Sequence, residues 1–248
     1  MFKFGKLAPK PAPLKLRTFL TAPLPEPPRE ANLDAVGLAD QNMFGNDRYG
    51  DCAIAGPGHE TLFWERHNGR PPAPITDADI LRMYSDVTGF DPNDPSTDQG
   101  SVVADVVKYR RTHGLVDSAG TVHKIAVGLG LAHSTLEVRQ AISLFDVVGL
   151  GIQVPQSLMD TVQAGGDVWD VPDGGSEIIG GHYIAGIAYD RDYLYVISWG
   201  KVYRMTWAFF DTYADEQWVY LSAEDVNGQG VSPDGLDLAQ LREDIAAL

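Results

Sequence analysis

The chain has 248 residues and a single cysteine, Cys52, so it has no internal disulfide and no pair of thiols for a zinc cage. Its six histidines include no His-x-x-x-His pair, and neither a metal nor any other cofactor is expected. No run of 18 apolar residues occurs, which excludes a membrane-spanning helix, and the first twenty residues are too rich in proline and lysine for a signal peptide. Basic residues are scarce: 19 Lys and Arg stand against 34 Asp and Glu, a net charge of −15. Such an acidic body repels phosphate, so nucleic acid is not an expected partner. The charge is uneven, because Lys3, Lys6, Lys10, Lys15 and Arg17 face no acid within residues 1–25. A basic arm is therefore attached to an acidic body, to lie across its own surface or to dock on a neighbour. At 44% hydrophobic and 10% aromatic, the chain can bury one large domain or two lobes.

What is present centres on Gly45-Asn46-Asp47-Arg48-Tyr49-Gly50-Asp51-Cys52, a turn that becomes a helix. Asp51 is a suitable N-cap, and exposed amides at a helix start can lower a cysteine pKa from about 8.5 into the range of roughly 3.5–7.5. The adjacent Asp51 charge opposes that effect, and a buried, inert Cys52 is the alternative. Pro57, with Gly56 and Gly58 beside it, should kink the helix or delay its proper start to Gly58, since an interior proline costs about 3 kcal/mol.

Residues 1–30 hold seven prolines and should be extended. Thr76-Asp77-Ala78-Asp79 resembles a capping box opening a helix that Gly89 ends. Asp91, Asn93, Asp94 and Asp98 tempt a calcium reading, but Pro92 and Pro95 break the alternation and no closing glutamate follows, leaving a solvated acidic loop. Val102, Val103, Val106 and Val107 mark a further helix, with Ser101 able to cap it. Ser134-Thr135-Leu136-Glu137 caps another that runs through Phe145. Val147 to Val154 reads as a buried strand, two strands span Tyr183 to Trp199, and short strands are expected around Trp207 and Trp218. Helices first and antiparallel sheet second make the class α+β.

Of the histidines, His59 is expected on another part of the cysteine helix, His67 on the surface, and His113, His123 and His133 in ordinary elements. His182 alone follows glycines at a strand start, where another backbone can approach closely. Cys52 at a helix start, then Gly181-His182 heading an apolar strand, then Ser198-Trp199-Gly200, together resemble papain-like cysteine peptidases over roughly residues 40–221. The version looks like one found among bacterial and bacteriophage proteins. The resemblance implies a two-lobed fold, with an N-terminal helical lobe and a C-terminal antiparallel sheet lobe. It also implies Cys52 as nucleophile, His182 as its base, and Asn46, six residues before the cysteine, in the place of the family's oxyanion glutamine. The family's histidine-orienting asparagine is missing: one alignment puts Ile197 in its place and the other Ser198, of which only serine can accept a hydrogen bond.

The expected organisation is an arm at 1–39, a papain-like domain at 40–221, and a linker with a C-terminal amphipathic helix at 222–248, where Leu238, Leu241, Ile245 and Leu248 form one stripe. Two functions fit. One is a cysteine peptidase or related thiol acyl-transfer hydrolase acting on a protein or peptide. The other is a catalytically inactive structural subunit, such as a phage virion protein, meeting its neighbours through the arm and the C-terminal helix. The expected location is the bacterial cytoplasm or the virion.

Overall fold

The computed structural model describes residues 3–19 and 24–222, so the expected C-terminal helix lies outside the described residues. In chain order, a short helix α1 (Leu16–Phe19) is followed by α2 (Cys52–His67), α3 (Asp77–Thr88) and α4 (Val103–Thr112). A small ribbon, β1 (Leu115–Val116) and β2 (Val122–His123), leads to β3 (Ile125–Gly130), α5 (Thr135–Phe145), β4 (Val148–Pro155), α6 (Gln156–Gln163) and β5 (Val168–Trp169). The chain closes with β6 (Ile178–Tyr189), β7 (Tyr193–Ser198), β8 (Lys201–Thr206), α7 (Trp207–Tyr213) and β9 (Ala214–Ser222).

The fold is α+β with two lobes. Seven strands form one sheet in the order β3-β9-β4-β6-β7-β8-β5, antiparallel except for the short β5–β8 pair. One apolar core joins α2, α3 and α4 through Ile54, Phe63, Ile80, Tyr84 and Val103, and a second fills the sheet lobe around Leu150, Trp169 and Phe209. The capping boxes behave as local chemistry dictates: the Thr76 hydroxyl accepts from the Asp79 amide while Asp79 caps back, and the Ser134 hydroxyl accepts from the Glu137 amide.

The central helix α2 departs from expectation. It runs unbroken from Cys52 through Pro57 to His67, and every residue from Cys52 to Glu65 is buried. A helix enclosed on all sides takes its stability from tertiary contacts, which here outweigh the local cost of a proline and two glycines. Gly56 lies so close to the Tyr183 ring that a Cβ would overlap it, which explains a small residue in mid-helix. Asp51 occupies the N-cap position, but its side chain makes no cap bond; only its carbonyl accepts from the Ile54 and Ala55 amides. Ser101 likewise makes no cap, the N-cap of α4 being Val102. Trp207 begins a helix where a strand was expected, because the Thr206 hydroxyl accepts from the Phe209 amide and Phe209, Phe210 and Tyr213 turn inward at helical spacing.

The N-terminal arm runs across both lobes. The Leu7 amide donates to the Ser101 carbonyl at 3.0 Å and the Ser101 amide to the Gly5 carbonyl at 2.7 Å, while on the opposite wall the Lys6 amide donates to the Gly181 carbonyl at 3.1 Å. Its cations meet acids of the body: Lys10 pairs with Asp105 and Arg17 with Glu137, and Leu16 is fully buried.

Candidate active site

Asn46, Cys52, His182 and Ser198 line one cavity of about 10 Å³, room for roughly one water, together with His59 and Trp199. Cys52 owes its place to the loop before it. The Asp98 carboxylate accepts the Gly50 amide at 3.0 Å and the Tyr84 hydroxyl at 2.8 Å, so one residue of the acidic loop anchors the turn that leads into the cysteine. His182 sits on β6 opposite Ile152 of β4, and its Nε2 lies 2.8 Å from the Ser198 hydroxyl at the end of β7. Ser198 rather than Ile197 therefore meets the imidazole. Nδ1 of His182 is buried with no hydrogen-bond partner among the described residues.

Trp199 and Gly200 form the two-residue turn between β7 and β8, both with positive φ (44° and 67°), as a tight hairpin of this length prefers. That turn lays the Trp199 indole parallel to His182, with ring centroids 4.1 Å apart. A tryptophan with positive φ is strained, and the ring stack shows what the strain achieves. Asn46 reaches the cavity, but its amide hydrogens go to the Tyr49 carbonyl at 3.1 Å and to Asp51 Oδ1 at 3.2 Å. His59 joins the cavity against the expectation that it would lie elsewhere on the helix. Seven residues is close to two turns, so positions 52 and 59 share a face.

Burial sets the electrostatics. It pushes the Cys52 thiol up to about 11, with the Asp51 carboxyl adding to the rise and the Tyr183, Gly5 and Ala53 amides opposing it. It pushes His182 down to about 3. Thiol and imidazole are thus both neutral in this closed form, the reverse of the thiolate expected at an exposed helix start, because desolvation outweighs the amides. Asp51 is fully buried and raised to about 8, again mainly by desolvation, with the Asn46 bond pulling down.

The covering layer is the arm. The Lys3 amide donates to the Asn46 carbonyl, the Gly5 amide faces the Cys52 sulfur, and the Phe4 ring packs edge-on to His182 and Trp199. Gly5 lies against Gly50 so closely that a Cβ would overlap the Gly50 carbonyl. Only glycine fits at that point.

His59 supplies a pH-dependent result. Burial holds it down to about 4, with Asp40 opposing, whereas an unfolded histidine titrates near 6.5. Between those values the unfolded chain binds the extra proton, so this contribution is present above pH 6.5 and lost as the pH falls towards 4. Going from pH 7 to 4.5, the parent should lose about 2 kcal/mol relative to His59→Gln, read from urea unfolding at both pH values. Parallel pH dependence of the two proteins would remove His59 from the account.

Neither a protein-family model nor a curated protein sequence matches the chain. Solved structures do: the fold is that of the papain-like cysteine proteases, a helical lobe against an antiparallel sheet lobe. Xylellain, a cysteine protease from Xylella fastidiosa, aligns over 89% of this chain and 96% of its own with a TM-score of 0.65 and 14% identity. Procathepsin B S9 from Trypanosoma congolense aligns over 89% and 86% at 0.59 and 10% identity. The Carica candamarcensis cysteine protease CMS1MS2, solved with E-64, aligns over 78% and 98% at 0.55 and 12% identity. At such identities the likeness is one of fold.

Proposed function

We propose that this chain is a cysteine peptidase, or a related thiol acyl-transfer hydrolase, closed by its own N-terminal arm. The observation that carries this reading is the Lys3–Leu7 segment, an extended peptide held by backbone hydrogen bonds to both walls of a groove, directly over a thiol and beside an imidazole. With the arm withdrawn, a substrate carbonyl takes its place. Cys52 passes its proton to Nδ1 of His182 and its sulfur bonds to the carbonyl carbon, forming a tetrahedral oxyanion. The Cys52 amide donates to that oxyanion; Asn46 joins only by releasing Tyr49 or Asp51. Collapse breaks the C–N bond as His182 returns the proton to the leaving amine, and water deprotonated by His182 then cleaves the thioester. Ser198 holds Nε2 throughout.

In an arm-released chain, Cys52→Ala should abolish cleavage of unfolded protein substrates, and a variant as active as its parent excludes Cys52 as nucleophile. Ser198→Ala should lower kcat/KM about tenfold, the worth of one hydrogen bond, mainly through kcat. The alternative, a silent structural subunit of the kind a phage particle uses, is favoured by the occupied Asn46 amide and the buried anchors of the arm. Absence of any activity after arm release would decide for it.

A further inference from the structure

Among the described residues of the arm, Lys6 is the one cation whose side chain is sealed from solvent, with 1% exposed. Its stem passes over Gly151 of β4, where a Cβ would overlap the lysine chain, and its ammonium lies 2.9 Å from one Asp215 oxygen and 3.0 Å from the other. Glu216 stands behind, with Oε1 accepting from the Trp218 indole at 2.9 Å and Oε2 pointing at the ammonium from 3.9 Å without any hydrogen bond of its own among the described residues. The Glu216 side chain is 6% exposed, and burial raises its carboxyl while Trp218 and Lys6 oppose the rise. Two carboxylates at the end of a glycine-floored slot, one of them buried and short of a partner, form a socket shaped for a basic side chain.

The socket belongs to the cleft. The backbone of Lys6 donates to Gly181, the residue before His182, and its neighbour Gly5 faces the Cys52 sulfur. We propose that Asp215 and Glu216 form a specificity pocket for a lysine or arginine side chain within about two residues of the bond attacked, and that Lys6 fills this pocket in the closed form. The proposal rests on the peptidase reading for the word specificity, but not for the binding it describes. An arm that leaves without replacement strands the buried Glu216 and the half-buried Asp215 without their cation, so a basic peptide is what the opened cleft selects.

The test uses the full chain carrying Cys52→Ala, which prevents turnover, and Gly5→Val, which keeps the arm from seating. The probe is a fluorescein-labelled hexapeptide with the sequence of residues 2–7, and binding is read by anisotropy. The parent peptide should bind at least tenfold tighter than its Lys6→Met counterpart, Lys6→Glu should not bind measurably, and Asp215→Asn with Glu216→Gln in the protein should erase the difference. Equal affinities, or no saturable binding of the lysine peptide, overturn the pocket. If Gly5→Val does not fold by near-ultraviolet circular dichroism, Lys6→Asp in the full chain empties the socket without touching Gly5 and serves in its place. With Cys52 restored, a peptide library should be cut mainly at bonds within about two residues of a Lys or Arg. Cleavage with an apolar preference overturns the pocket and keeps the peptidase, whereas lysine-dependent binding without cleavage keeps the pocket and removes the peptidase.

Discussion

Replacing Gly5 by valine in the intact chain should raise the rate at which iodoacetamide alkylates Cys52 at pH 7 by at least about 100-fold. A thiol pushed up to about 11 is ionised in only about one molecule in 10⁴ at that pH, against a few per cent for an ordinary thiol near 8.5. Cys52 is also physically covered, at 2% exposure, by a segment that meets it through the Gly5 amide. A Cβ at position 5 would collide with the Gly50 carbonyl, a backbone atom tied through the Gly50 amide to Asp98, so the arm rather than the loop must give way. Once water enters, the desolvation that holds the thiol up and His182 down is relieved, and Nδ1 of His182 can take the thiol proton. The parent itself should label faster as the pH rises, about tenfold per unit from 7 to 10, because that range lies below its thiol pKa. Mass spectrometry of a labelling time course measures both effects. A Gly5→Val chain that labels no faster than its parent would mean that something other than the arm seals the thiol.

A second large effect is expected at Glu60, on the inner face of α2. One carboxylate oxygen accepts from Arg110 at 2.6 Å and the other from the Tyr183 hydroxyl at 2.6 Å, and that hydroxyl lies 2.8 Å from the Tyr220 hydroxyl. The Arg110 guanidinium also sits 4.5 Å from the Tyr220 ring centroid. Glu60 is fully buried and Arg110 nearly so, so Glu60→Ala leaves a cation in the core without its counter-charge, at a cost of about 3–5 kcal/mol or roughly 10 °C in Tm. Adding Arg110→Met should recover part of that loss, since the penalty lies in the stranded charge. Tyr183→Phe removes the hydrogen bonds to Glu60 and Tyr220 but strands no charge, and should cost less, about 2–3 kcal/mol. The network joins the cysteine helix to the strand that carries His182, so, on the proposed peptidase reading, loosening it should also lower the activity of an arm-released chain. A Glu60→Ala protein within about 1 kcal/mol of its parent would show that this contact does not clamp the lobes.

Features written in neighbouring residues were legible before any coordinates. Thr76 with Asp79 and Ser134 with Glu137 opened helices because a cap is chemistry between residues three apart. Gly50-Asp51-Cys52 announced a cysteine at a helix start, and Gly181-His182 announced a histidine on a strand that tolerates close approach, so the pair stood out although 130 positions separate them. Even His59 was readable in principle, since two helical turns return to the same face. Closure of the cleft was not legible, because prolines and lysines at an N-terminus describe an extended arm without saying what it covers. Nor was the sign of the thiol shift. A helix start lowers a cysteine pKa only while water and amides surround it, and the sequence does not say that Gly5, Phe4 and Lys6 take the place of that water. The partners of Glu60 come from 50 and 123 residues away, and Lys6 meets Asp215 across 209. By itself the sequence determined the local frame and nominated the candidate site residues. Tertiary structure alone decided which of them are buried, paired and blocked, since desolvation depends on atoms brought together only by the fold.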